Sequence, residues 1–476
     1  MRTALGLTSL CLFVVLCTPL QAQITFQRTY GGADTDLGGW VQPTADSGYI
    51  MSGYTASFGA GGYDGWLVKT DARGDTVWTK TYGGTNRDEL WTVGKTTDGG
   101  FILAGTTYSF GAGDADVWLI RVDAHGETLW TRTYGSPDGE WGYFATQTSD
   151  GGYIVTGTTT DVVQPSRGYY LVKTDSAGDT LWTRTSGSSS NGEYIYMAAE
   201  TFDGGFVFIG YWQVWTPNGH GDVHLVKTDM NGDTLWTRSW GGASETDVGY
   251  TVVQCADSGF FITGMSGSFS PYHGIYLIRT DEHGDTLWTR PFPQSMFGEQ
   301  GRSGMPTDDG GYIIAGSDEG PAQTLVLLKV DASGNPLWKR NYEGSTGPGQ
   351  DAGIHARQSL DGGYIVSGYT NSAGAGRHDA WLIKTDSEGN VAVAEREPAV
   401  VREANPATLV RGVLMVPRDM TELPGNSDRV PRPTLLDAIG RKVLDLQPGA
   451  SDIRALAPGV YFVRQPAAAT QIVIQH

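Results

Sequence analysis

Apolar and polar residues alternate along this chain in short bursts, each too brief for a helix and each closed by a glycine-bearing turn. The second such group predicts strands at Leu90–Thr96, Phe101–Thr107, Val117–Val122 and Thr128–Tyr134. Short apolar or alternating runs bounded by Gly and Asp are strand signals. Asp98-Gly99-Gly100 suits the first hairpin, because Asp-Gly accepts the positive φ of a primed turn. The stretch SFGAGDAD joins strands two and three. Asp123-x-x-Gly126 closes the last hairpin, with Asp capping a type I turn and Gly in the left-handed position.

The pattern recurs. The hairpin aspartate returns as Asp71, Asp123, Asp175, Asp229, Asp281, Asp331 and Asp386, each followed three residues on by Gly74, Gly126, Gly178, Gly232, Gly284, Gly334 and Gly389. A second marker, Asp-Gly/Ser-Gly-Tyr/Phe, begins at Asp46, Asp98, Asp150, Asp203, Asp257, Asp309 and Asp361, at intervals of 52 to 54 residues. Seven units of four antiparallel strands predict an all-β fold, a seven-bladed β-propeller spanning residues 23–394. The last unit lacks its fourth strand: after Asn390 the chain reads VAVAEREPAV where TLWTRTYGG is expected. Ile24–Gly32 reads ITFQRTYGG, and its Phe26 stands in register with Trp78, Trp130, Trp182, Trp236, Trp288 and Trp338. The N-terminal strand is therefore expected to complete the last blade, which removes both open sheet edges. Arg73-Gly74-Asp75 spells an adhesion tripeptide, but only Arg73 is peculiar to that copy, so the stretch reads as a blade hairpin.

Composition agrees. Glycine is abundant, with 68 residues, and 15 tryptophans sit among 11% aromatics, a mixture suited to short strands and tight turns rather than helices. The formal net charge of −19 argues against nucleic-acid binding, which needs a basic footprint. Residues 1–22 pair Arg2 with an apolar run and small Ala22, as a secretory signal peptide does, and no transmembrane anchor is expected. Its removal would leave Cys255 as the one cysteine, so stability must come from packing.

The WLxKTDxxGDTxW hairpin and DGGYIxxG turn resemble the secreted Gly-rich propeller repeats of bacteria and archaea over residues 24–391. A more distant likeness is to the quinoprotein dehydrogenase propellers, and it implies fold only. After a linker at 395–404, residues 405–476 carry Asn405-Pro406, Asp437, Gly440-Arg441, Val443, Leu446 and Gly459-Val460-Tyr461-Phe462. This order resembles the type A C-terminal sorting domain of the type IX secretion system. The resemblance implies a small C-terminal β-sandwich that partners the secretion machinery, passage through the periplasm, and release or attachment at the outer-membrane surface.

Ten residues before each Asp-Gly-Gly aspartate stands an acid: Asp36, Asp88, Glu140, Glu193, Asp247, Glu299 and Asp351. Placed at the entry to each innermost strand, these would ring one mouth of the central channel. Such a ring suits Ca²⁺, a hard cation that prefers carboxylate oxygens, or a cationic or sugar ligand. The alternative is that each acid accepts N–H bonds within its own loop, and its presence in every blade favours that account. Aromatics follow three residues later at Trp91, Tyr143, Tyr196 and Tyr250, fit for carbohydrate contact or for packing between blades. No catalytic constellation stands out and no cofactor is expected. The leading reading is a monomeric secreted or cell-surface binding module for an extracellular glycan or protein. An extracellular carbohydrate-active enzyme and a structural envelope component are the alternatives.

Overall fold

The computed structural model describes residues 23–391, apart from loops at 161–166, 186–190, 215–219, 243–244, 270–272, 293–297 and 345–348, and separate strands between residues 408 and 474. Residues 1–22 and 395–404, expected to be a signal peptide and a linker, and Asp437, Gly440 and Arg441 lie outside the described residues. Two compact units divide the chain, Met1–Ala392 and Val393–His476.

The first unit is built from seven four-stranded antiparallel sheets. Blade one runs outward from Asp36–Pro43 through Tyr49–Thr55 and Asp64–Thr70 to Thr76–Tyr82. In blade two the first and third strands are Asp88–Lys95 and Asp116–Val122. Both reach one or two residues beyond the apolar runs that announce them, because Asp88 and Asp116 each pair with Thr107 in the ladder. The last blade takes its outer strand from the chain's start: Phe26–Tyr30 lies antiparallel to Asp379–Thr385, with Phe26 opposite Lys384. Trp78 stands opposite Lys69 in the same way, so the expected register and closure are observed.

The middle strands of blades one and two are buried along their whole length, whereas the outer strand of blade one alternates exposed and half-buried positions. The outer strand nevertheless makes the joint to the next blade. Gly126 has a φ of +76°, and a Cβ there would lie 2.8 Å from the Trp78 ring of the preceding blade. Four residues after that tryptophan, the Tyr82 hydroxyl donates to the Gly126 carbonyl at 2.7 Å. Tyr30, Tyr134 and Tyr342 do the same for Gly74, Gly178 and Gly389, each at 2.6 Å. The WTxTY run and the DxxG turn are thus two halves of one interblade joint.

A second joint ties strands within each blade. A cation two residues before the hairpin aspartate reaches back to the Asp-Gly-Gly turn. The pairs include Lys69–Asp46 at 2.7 Å, Lys173–Asp150 at 2.8 Å, and Lys227–Asp203, Lys329–Asp309 and Lys384–Asp361 at 2.9 Å. Arg121–Asp98 and Arg279–Asp257 complete the seven. Each lysine also donates to the carbonyl of the next residue, as Lys69 does to Thr70 at 2.9 Å. That gives a buried ammonium the partners it needs.

In the second unit a five-stranded sheet orders Thr408–Val410, Ala469–Ile474, Gly459–Arg464, Thr434–Leu436 and Lys442–Asp445, and Val413–Val416 pairs with Gly449–Asp452. Gly459, Val460, Tyr461 and Phe462 open the third of these strands, with Gly459 opposite Ile474.

Candidate functional site

Every innermost strand breaks register near its start. The ladder skips Trp91 between Leu90 and Thr92, Tyr143 between Gly142 and Phe144, Tyr196 between Ile195 and Met197, and Tyr250 between Gly249 and Thr251. In blades six and seven it skips Arg302 and Ile354. Blade one skips two residues, Gly39 and Trp40. A β-bulge re-aims the side chain of its extra residue. Seven bulges around one axis therefore turn seven side chains to one place.

Trp40, Trp91, Tyr143, Tyr196, Tyr250, Arg302 and Ile354 line a single cavity of about 210 Å³, with Thr92 and Thr251 between them. The four aromatics singled out from sequence are thus brought together. Neighbouring rings contact one another: Tyr143 and Tyr196 at 5.6 Å between centroids, Tyr196 and Tyr250 at 5.2 Å. Burial pushes the Tyr196 phenol well above its ordinary pKa, with Tyr250, Tyr211 and Tyr143 adding to the effect. Tyr250 is raised by burial too, against the opposing Arg302 charge. These phenols stay protonated and remain hydrogen-bond donors.

Arg302 breaks the ring of aromatics. Its guanidinium carbon lies 5.7 Å from the Tyr250 ring centre, within cation–π range. Its Nε is buried without a hydrogen-bond partner, and no carboxylate among the described residues forms an ion pair with it. Sequence reasoning missed Arg302 because it is not aromatic, though it stands three residues after Glu299, as Trp91 does after Asp88. Trp40 was missed because its bulge holds two residues and shifts the spacing by one.

The carboxylates stand elsewhere. Asp36, Asp88, Glu140, Asp247, Glu299 and Asp351 are buried, none more than 2% exposed, and none of the seven lines the cavity. Asp88 accepts from Gly84 N at 2.8 Å, Thr107 Oγ1 at 2.5 Å and Ser109 Oγ at 2.6 Å. Asp36 does so from Gly32 N and Ser57 Oγ, both at 2.7 Å, and from Thr55. Glu140 takes Ser136 N at 2.8 Å and Thr159 Oγ1 at 2.8 Å. Asp247 takes Ser268 Oγ at 2.6 Å, and Asp351 takes Ser372 Oγ at 2.7 Å. Glu299 pairs with Lys339, while Glu193 is half-buried at the equivalent strand position. Of the two accounts open from the sequence, these bonds fit the one in which each acid serves its own blade: Asp36, Asp88 and Glu140 tie the entry loop to the second strand and the residues after it. A cation would have to displace several of those donors. Among the described residues no group of three or more acids, histidines or cysteines is placed to hold a metal ion.

No family model matches the chain, and no curated protein matches it. Solved structures do. A protein of unknown function from Dyadobacter fermentans is 12% identical, with a TM-score of 0.43 over 62% of this chain and 93% of that one. An ulvan lyase representing a new family of polysaccharide lyases is 10% identical, with a TM-score of 0.47 over 76% and 97%. The β-propeller domain of the trilobed protease from Pyrococcus furiosus is 8% identical, with a TM-score of 0.40 over 76% and 99%. The sheet order and the closing strand define this chain as a seven-bladed β-propeller.

Proposed function

We propose that this chain is an exported or surface-displayed binding module whose channel cavity captures an anionic saccharide. The observation that carries the reading is Arg302, a guanidinium set among aromatic faces with no acid partner among the described residues. Aromatic side chains supply flat apolar area with polar tips, and a guanidinium fork matches a carboxylate or sulfate. The cavity falls below the range of about 300–1,000 Å³ usual for drug-sized ligands, which suits one ring at a chain end or branch. Its lining holds no carboxylate pair of the kind glycosidases use, which favours capture over cleavage. Export rests on the signal-like residues 1–22 and on the likeness of the Asp437 to Phe462 region to type A sorting domains. Screening the full chain against paired acidic and neutral oligosaccharides tests the binding reading. Acidic members are expected to bind and Trp91→Ala to weaken them about tenfold or more. Indifference to Trp91→Ala, or equal capture of neutral partners, contradicts it.

A further inference from the structure

Below the aromatic cavity the channel opens into a second chamber of about 450 Å³. Trp40 lines both and marks the waist between them. Two cations face this chamber, Lys95 from blade two and Arg357 from blade seven. Arg357 Nε is buried without a hydrogen-bond partner, and neither residue forms an ion pair among the described residues. The one acid in the lining is Glu200, whose oxygens accept from Ser149 N at 2.7 Å and Oγ at 2.6 Å, and among the described residues it forms no ion pair with either cation. Gln147 is committed likewise, accepting from Thr97 N at 2.8 Å and donating to Gly151 O at 3.2 Å.

Two cations without an ion pair among the described residues are unexpected in a chain with a net charge of −19, where carboxylates are plentiful. Partial burial, then the Arg357 charge, holds the otherwise solvent-accessible Lys95 ammonium below its ordinary pKa, and burial lowers the Arg357 guanidinium to about 10. Each group gains from an added negative charge. We infer that this chamber is an oxyanion site, in which Lys95 and Arg357, carried by the two blades that flank blade one, together hold a sulfate, phosphate or carboxylate group.

The site is separate from the aromatic cavity, and its test leaves that cavity alone. Thermal unfolding of the full chain is followed with inorganic sulfate, inorganic phosphate and acetate as separate probes, against sodium chloride at matched ionic strength. Salting effects rise without saturation, whereas a site saturates. A saturable rise in Tm is expected with at least one probe. Arg357→Met and Lys95→Met are each expected to weaken its apparent affinity about tenfold, with Trp91→Ala unchanged. Should Arg357→Met fail to fold, Lys95→Met, whose side chain is exposed, carries the comparison. An unsaturating rise with all three probes, or saturation unaltered in the Lys95 and Arg357 variants, overturns the inference.

Discussion

The Trp40 indole lies flat on the His355 imidazole, their centroids 4.0 Å apart and planes 16° from parallel. The pair crosses the seam where blade one meets blade seven, so ring closure and the shape of the channel depend on the same contact. Val41 N donates to His355 Nδ1 at 3.4 Å, which places the ring proton on Nε2 and fixes a neutral imidazole. Ser367 Oγ adds a bond to the Gly39 carbonyl at 2.5 Å across the same seam.

Acid should open this seam. Burial first, and the Arg357 charge second, hold His355 well below its ordinary pKa. Burial alone lowers His224 to about 4. Unfolded, both take a proton near pH 6.5, so the unfolded chain binds more protons than the folded one below that pH. Stability is therefore complete above about pH 6.5 and falls as pH drops through the window down to about 4. Urea midpoints should fall between pH 7 and pH 4.5, and fall less in His355→Phe. Equal falls in both proteins would refute the assignment to His355.

The strand-three cations act in a different window. Asp309 is depressed to about 2, the bonds from Thr307, Lys329 and Gly311 outweighing burial. Stability from such a carboxylate is present above about pH 3.8 and lost as pH falls towards 2. The lysine is 2% exposed at its side chain and the aspartate 56%, so the partners are unequal. Asp309→Asn leaves a buried ammonium under-compensated, whereas Lys329→Met removes the charge and keeps the volume. The first should cost about 1–3 kcal/mol and more than the second, measured by chemical denaturation at pH 7. The reverse order would count against this joint.

Two glycines of blade two separate backbone conformation from packing. Gly99 and Gly126 have φ of +86° and +76°, but a Cβ at Gly99 meets nothing within 4 Å, whereas one at Gly126 meets the Trp78 ring. Gly99→Ala should cost about 1 kcal/mol for its backbone. Gly126→Ala should cost at least about 1 kcal/mol more, from overpacking. Equal unfolding midpoints would mean that the interblade joint contributes little.

Much of this fold could be read from the chain because its period is strict. Phe26 in register with the tryptophans foretold the closing strand, and the aromatics three residues after four of the acids foretold part of the cavity. Their direction could not be foretold, since a bulge is a property of pairing with the second strand and leaves no local mark. Bonding of the carboxylates within their own blades is the account that their recurrence favours, but the hydroxyl partners are not evident from the sequence because they lie 19 and 21 residues on, at Thr107 and Ser109 for Asp88. The recurrence of those hydroxyls at Thr55 and Ser57 was the available clue. The cation preceding each Thr-Asp or Val-Asp was equally visible, but its partner sits across two strands. The sorting-domain likeness at Asp437, Gly440 and Arg441 falls outside the described residues.

On the proposed function, bulge-aimed aromatics and Arg302, which has no ion pair among the described residues, make the channel cavity a site for an acidic sugar. Calorimetric titration of a uronic-acid oligosaccharide and its carboxyl-reduced neutral counterpart, against the wild type and Arg302→Met, tests it most directly. The wild type should prefer the acidic ligand by about tenfold or more, since a charge-assisted hydrogen bond is worth about 1.5–3 kcal/mol. Arg302→Met should lose that preference while keeping binding of the neutral ring. Equal affinity of the wild type for both ligands, or an undiminished preference in Arg302→Met, would contradict the account.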